Sequence, residues 1–243
     1  MASIDDYEQL LAPARDRFAV SPGVQAISST SDSVFLDLFL LHFCALGSQM
    51  TKPVEGWIRQ AAERCTSMGL SDLASRLRRH AQAESGHHLL MIADVRSLAA
   101  RWNARRKHSV DADQLLNQAP TPGVLQYCRV HEENIAGATP YAQVAIEYEV
   151  EMLPLRYGQQ LLNRCVEMLG VEILPCLSFV TEHIVLDVGH TNFNARVIAN
   201  LIELIPWGMP ALVSAGSAAL DAYAQFLGDC VQLADRDSRR AQS

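Results

Sequence analysis

Residues 183 to 190, His-Ile-Val-Leu-Asp-Val-Gly-His, place three groups able to bind a metal on one helical stripe. At about 100° per residue, His183, Asp187 and His190 fall at roughly 0°, 40° and −20° on a helix wheel. The neighbours Ile184, Val185, Leu186 and Val188 are apolar, so the stripe is expected to see little water. One buried histidine is ordinarily explained by a hydrogen bond to a neighbour. Three polar groups hidden by one helix cost on the order of several kcal/mol unless all are satisfied, and a divalent cation held by imidazole nitrogen and carboxylate oxygen satisfies them.

Two further stretches carry the same chemistry. In His80-Ala-Gln-Ala-Glu84-Ser-Gly-His87-His88, Glu84 and His87 stand three apart. Glu-x-x-His is the pattern with which helical bundles hold paired metal ions. His80 lies on the same face as an outer partner, and His88 is a rival to His87. The stretch 147 to 151 carries Glu147, Glu149 and Glu151, of which Glu147 and Glu151 share a face while Glu149 points away. Either of the first two can serve as the middle ligand, with Glu147 preferred. Three helices thus offer Glu84 with His87, then Glu147, then His183, Asp187 and His190. Three carboxylates and three imidazoles suit two iron or manganese ions with positions left for dioxygen.

Long helices are needed to position these groups, and the sequence predicts them. Helix is expected over 33–49, capped by Ser31 or Asp32, then from Pro53 to Met68, and from Ser71 to about Lys107. Residues 108–139 read as loops around one short helix. Helix resumes over 140–170, with a kink expected where Pro154 removes the hydrogen bond to the Val150 carbonyl. Two more helices are expected over 171–205 and 211–233. No strand-like alternation appears, so the expected fold class is all-α, a single domain over 31–234 with an N-terminal extension over 1–30 and a disordered tail over 235–243.

With 243 residues and 49% hydrophobic composition the chain can bury a large core. A net charge of −7 without a basic run beyond Arg101 to His108 gives no indication of a nucleic-acid or polybasic membrane surface. No secretory leader is apparent, and the apolar run 34–46 is too short for a bilayer and contains Asp37 and His42, so a cytoplasmic protein is expected. Six cysteines lie scattered without a Cys-x-x-Cys pair, which suits reduced buried thiols.

The order Glu-x-x-His, lone Glu, His-x-x-x-Asp-x-x-His on an all-helical chain resembles the haem-oxygenase-like di-iron oxidases and oxygenases, including their iron-containing redox enzyme members. The likeness covers roughly residues 30 to 205. It implies a seven-helix bundle in which Glu84, His87, Glu147, His183, Asp187 and His190 bind two irons. It also implies Fe(II) and O2 as reactants, an external electron donor, a small-molecule substrate and no haem or flavin; a homodimer is compatible with it. Reactions in that family range from N-oxygenation to oxidative C–C cleavage and desaturation, so fold does not fix the outcome. Relatives of the same fold offer other classes: a haem-degrading enzyme, for which His42 is the only early axial candidate, and a thiaminase-like hydrolase, for which Cys165 or Cys176 would be the nucleophile.

The substrate expectation rests on charge. No arginine points at the expected metal face; Arg164, for instance, lies about 100° from Glu147 on the wheel. Glu151 is a surplus carboxylate facing the pocket. On this basis the sequence favours N-oxygenation of a small amine or nitrogen heterocycle in specialised metabolism over oxidation of a fatty or amino acid.

Overall fold

Helix α3 (Ser33–Thr51) is apolar on nearly every side and buried from Phe35 to Ser48, so it has to lie at the centre of the molecule. Asp32 caps it, its carboxylate accepting from the amides of Val34 and Phe35. The polar residues that interrupt its apolar run are both partnered. Asp37 takes an ion pair from Arg101 and a longer one from Arg106, and His42 Nε2 lies 3.0 Å from Asp237 Oδ2. The stretch 33–67 has the length and apolarity of a membrane span, but 83% of its most apolar window is buried inside the bundle, as in a core helix.

In this computed structural model residues 3–242 are described, and among them no strand occurs. Where the sequence led to seven helices, the described residues form twelve α-helical segments. After α1 (Ile4–Ala19), α2 (Pro22–Ser29) and α3 come α4 (Val54–Ser67), α5 (Ser71–Ala83) and α6 (His88–Arg105). The short α7 (Ala112–Leu116) leads to α8 (Pro122–Ala136) and α9 (Gln143–Leu153), then α10 (Gln159–Leu169), α11 (Ser178–Leu204) and α12 (Met209–Gln242). The count rises by five: the expected N-terminal extension supplies α1 and α2, the region 108–139 holds two helices instead of one, and the long helices expected over 71–107 and 140–170 are each broken. The first break is a turn at residues 84–87; the second is a π-helical turn, Pro154–Gly158. A kink was expected there; the missing proline N–H is absorbed as a widened turn.

Among the described residues, the first and the last helix both belong to the bundle. The expected extension supplies α1, whose Tyr7, Leu11, Ala14 and Phe18 are buried and which packs on α12. The expected tail continues α12 through residue 242, with Ser238 buried, because this last helix lies along α1, α2, α3, α8 and α9. Residues 1, 2 and 243 lie outside the described residues.

Candidate metal centre

The break between α5 and α6 shapes one wall of the centre. Glu84 caps the end of α5, Gly86 takes φ +86°, a conformation that costs glycine nothing, and His87 opens α6. A straight helix would leave Glu84 and His87 one turn apart; the turn brings His87 Nδ1 to 3.1 Å from Glu84 Oε2. The opposite wall is α11. Its first amides are capped by a remote residue, Asp94 of α6, which accepts from the Ser178 and Phe179 N–H groups at 2.9 Å and from the Ser178 hydroxyl at 2.7 Å. α11 packs closely on the π turn: a Cβ on Gly158, its last residue, would stand 2.8 Å from Ile184 Cγ1.

These elements bring two overlapping ligand sets together. His80, Glu84, Glu151 and His190 form one, Glu84, His87 and His183 the other, each with its donor atoms within 4.8 Å of one another. Glu84 belongs to both. Within the first, His80 Nε2 lies 2.7 Å from Glu151 Oε1, and His190 Nδ1 lies 3.2 Å from Glu84 Oε1 and 3.6 Å from Glu151 Oε1. Within the second, His183 Nε2 lies 3.2 Å from His87 Nδ1. The other nitrogen of His183, Nδ1, donates to the Phe179 carbonyl at 2.7 Å, which leaves the Nε2 lone pair facing the cluster, the orientation a metal ligand needs.

The cluster is short of partners for its own atoms. Asp187 is 1% exposed, and neither of its oxygens has a hydrogen bond; His190 Nδ1 stands 3.3 Å from one of them at an angle that makes none. Glu84 Oε1, His190 Nδ1 and His80 Nδ1 are likewise buried and unbonded. Buried carboxylates and imidazoles in this state are costly, and a divalent cation satisfies both kinds of atom at once. The residues therefore fit a metal. Electrostatics agrees: burial raises Glu84, but the His80 and His87 imidazoles outweigh it and hold that carboxyl well below its ordinary range. Burial also lowers the basicity of His80, and the Glu151, Glu84 and Glu147 carboxylates more than reverse it. Burial pushes His183 down and Asp187 up.

Several sequence expectations find a different place. Glu151, expected as a surplus carboxylate, sits inside the first set with both oxygens engaged, since Asn194 Nδ2 donates to Oε2 at 2.7 Å. Glu147, the preferred middle ligand, lies outside both sets. It borders the same space but accepts from Gln143 Nε2 at 2.6 Å, and that amide also donates to His131 Nδ1 at 2.6 Å. Burial, with the nearby Glu151 and Glu84 charges, pushes Glu147 to about 8, while His131, stacked 4.2 Å from Trp57, is pushed to about 3. His80, expected as an outer partner, is a full member of the first set. His88 belongs to neither; partial burial and Lys52 lower its basicity. Val185, Leu186 and Val188 are exposed and do not shield the stripe; α9 and the 84–87 turn cover it instead. Cys165 and Cys176 line neither the cluster nor its cavity, and burial raises both thiols, Cys165 to about 12. Asn194, His131 and Gln143 escaped the sequence reading. Asn194 alone had a signal, since it extends the stripe by one turn beyond His190.

A cavity of about 70 Å³ adjoins the cluster, and a larger one of about 260 Å³ lies on the other side of Pro154, Phe179 and Tyr223, which line both. Phe179 also packs on His183, with ring centroids 3.9 Å apart.

Solved structures share this architecture. A domain of unknown function with a haem-oxygenase-like fold from Shewanella denitrificans superimposes with a TM-score of 0.74 at 18% identity, over 95% of this chain and 92% of that one. The chain has a haem-oxygenase-like fold. A CADD-like protein of unknown function from Nostoc punctiforme is similar at a TM-score of 0.63 and 15% identity, over 94% and 98% of the two chains. No family model and no curated protein matches the sequence.

Proposed function

We propose that the chain is a non-haem di-iron oxidase or oxygenase, with Glu84, His87 and His183 holding one ion and His80, Glu84, Glu151 and His190 the other. Asp187 completes the site with its unbonded oxygens. The observation that carries this reading is the convergence of these donors around buried, unbonded oxygen and nitrogen atoms that a cation would satisfy together. The mixed oxygen and nitrogen set favours iron or manganese over thiolate-seeking metals. When bound, a ferrous pair supplies electrons and open positions for dioxygen, with an external donor restoring the reduced state.

The chain's own residues do the rest. Glu84 joins the two positions. His80 and Asn194 fix Glu151 from both sides, and the Phe179 carbonyl fixes the tautomer of His183. Glu147 stands at the edge of the cavity, oriented by Gln143, and burial raises its carboxyl to about 8 in the metal-free chain. The enclosing apolar walls exclude water.

As to the reaction, N-oxygenation of a small amine drew on Glu151 as a free carboxylate. With Glu151 engaged and Arg164 lining the large cavity, oxidation of a carbon framework is the outcome the geometry supports better. Metal analysis after anaerobic Fe(II) loading tests the centre. Near two irons per chain are expected, with one lost in Asp187→Ala and both in Glu84→Ala. A chain that binds no iron, or binds haem stoichiometrically, overturns the proposal.

A further inference from the structure

The 260 Å³ cavity between α2, α10 and α12 has a polar end and an apolar end. At its mouth stand the exposed Ser28 and Gln160 and the half-buried Arg164. Inside, the walls are dominated by six aromatic rings: Phe18, Phe39, Phe43, Tyr157, Phe179 and Tyr223. Several already pair with one another, Phe18 with Tyr157 at 5.6 Å and Phe39 with Phe43 at 5.8 Å, so they stand as a fixed box. The inner end is the wall shared with the metal cluster.

Arg164 is the one arginine or lysine among the lining residues. One of its terminal nitrogens donates to the Thr30 carbonyl, and the other to Glu167 at 2.8 Å. Its Nε is buried without a partner. A guanidinium held in place by two contacts among the lining of an apolar cavity suits a carboxylate and repels an ammonium.

The rings argue for the body of the ligand. Aromatic pairs gain from offset or edge-on contact beyond the area they bury, and a rigid ring gives up less conformational freedom than an alkyl chain on entering a box of this shape. A volume of about 260 Å³ is of the order of a single aromatic ring carrying a short side chain. We propose that this cavity binds an aryl monocarboxylate of the size of 3-phenylpropionate, its carboxylate on Arg164 and the far edge of its ring against Pro154, Phe179 and Tyr223. The ligand then ends against the wall that separates this cavity from the metal cluster, with Phe179 between its ring and His183. What that placement means for a reaction rests on the di-iron reading; binding does not.

Calorimetric titration of the metal-free full chain tests the site with 3-phenylpropionate, nonanoate and 3-phenylpropylamine. The aryl acid is expected to bind at least tenfold more tightly than the alkyl acid of equal carbon count, and the amine not at all. Arg164→Gln is expected to weaken the aryl acid about tenfold, and Leu161→Trp, which fills the cavity, to abolish binding while helical circular dichroism is retained. Nonanoate or the amine binding as tightly as the aryl acid, or an Arg164→Gln protein with unchanged affinity, overturns the proposal. With two equivalents of Co(II) added, the aryl acid is expected to perturb the cobalt absorption bands, because Phe179 touches both the cavity and His183. If the aryl acid binds but cobalt does not, the di-iron reading fails and the cavity assignment stands. If cobalt binds and the aryl acid does not, only the cavity assignment falls.

Discussion

Helix α9 carries two buried acidic faces that differ in one respect. Glu149, 1% exposed, is fully partnered: Arg15 Nε and Nη2 donate to its two oxygens at 2.8 and 2.7 Å, and Tyr7 donates to Oε1 at 3.1 Å. Arg15 also pairs with Glu8, which accepts from Tyr148 at 2.7 Å. On the opposite face Glu151 looks into a cluster in which Asp187, Glu84 and His190 have buried atoms without hydrogen bonds. The first face closes on itself and holds α1 to the bundle. The second is complete only with something added. An ion cluster whose hydrogen bonds all close is structural; one left with orphaned acceptors and donors is built to bind.

Metal separates the two faces most sharply. Two divalent ions at a hundred times their dissociation constants should each stabilise the fold by about 2.7 kcal/mol, read from denaturant midpoints with and without chelator. If Mn(II) or Fe(II) leaves the midpoint unchanged, the two faces are not different in kind.

Removing a partner from each face comes next. Arg15→Met strands the Glu149 carboxylate in the core and should cost about 3–5 kcal/mol with or without metal. Asp187→Ala, in metal-free protein, removes an unpaired carboxylate and should cost under about 1 kcal/mol or stabilise. Equal losses from the two variants would erase the distinction.

Acidity sharpens the comparison further. Glu147, beside the binding face, is raised to about 8 in the folded chain, so between the unfolded carboxyl range and pH 8 the folded state holds the extra proton. Stability from this group is present at low pH and is lost as pH rises, by at most about 1.4 kcal/mol per unit. Glu147→Gln should flatten that slope in metal-free protein; an unchanged slope between pH 5 and 8 would place the proton elsewhere. Glu8, in the closed face, runs the other way: burial raises it, but Arg15 and Tyr148 outweigh burial and lower it, so its contribution is lost as pH falls through the carboxylate range.

The smallest effect expected is at Gly189. A Cβ there meets nothing within 4 Å, so Gly189→Ala should stabilise the helix by about 1 kcal/mol and leave metal content at two. A destabilised variant would mean that the α11 stripe needs the freedom of glycine.

Much of the candidate centre could be read from spacing because its donors recur at intervals of three and four. For His183, Asp187 and His190, all within α11, helical geometry alone puts them on one face; His80, Glu84 and His87 have the same spacing, but the turn at 84–87 brings the last of them into place. Choosing between Glu147 and Glu151 could not be read that way. Both lie on the same side of α9, and the choice depends on where Gln143, His131 and Asn194 fall. The 84–87 turn was hidden for a related reason: the stretch reads as continuous helix apart from one glycine, and only the structure shows that Gly86 takes φ +86° between α5 and α6.

The sequence alone determined that this chain is all-helical, that α3 is its core, and that three stretches carry histidines and carboxylates on helical faces. Those are properties of neighbours within a few turns, set by periodicity and backbone geometry. Tertiary structure decided that His80 and Glu151 meet at 2.7 Å although 71 residues apart, that Arg15 closes on Glu149 across 134 residues, and that the first and last described helices join the bundle. Contacts of that range depend on how helices pack, and packing follows from the shape of the whole core, which no local pattern encodes.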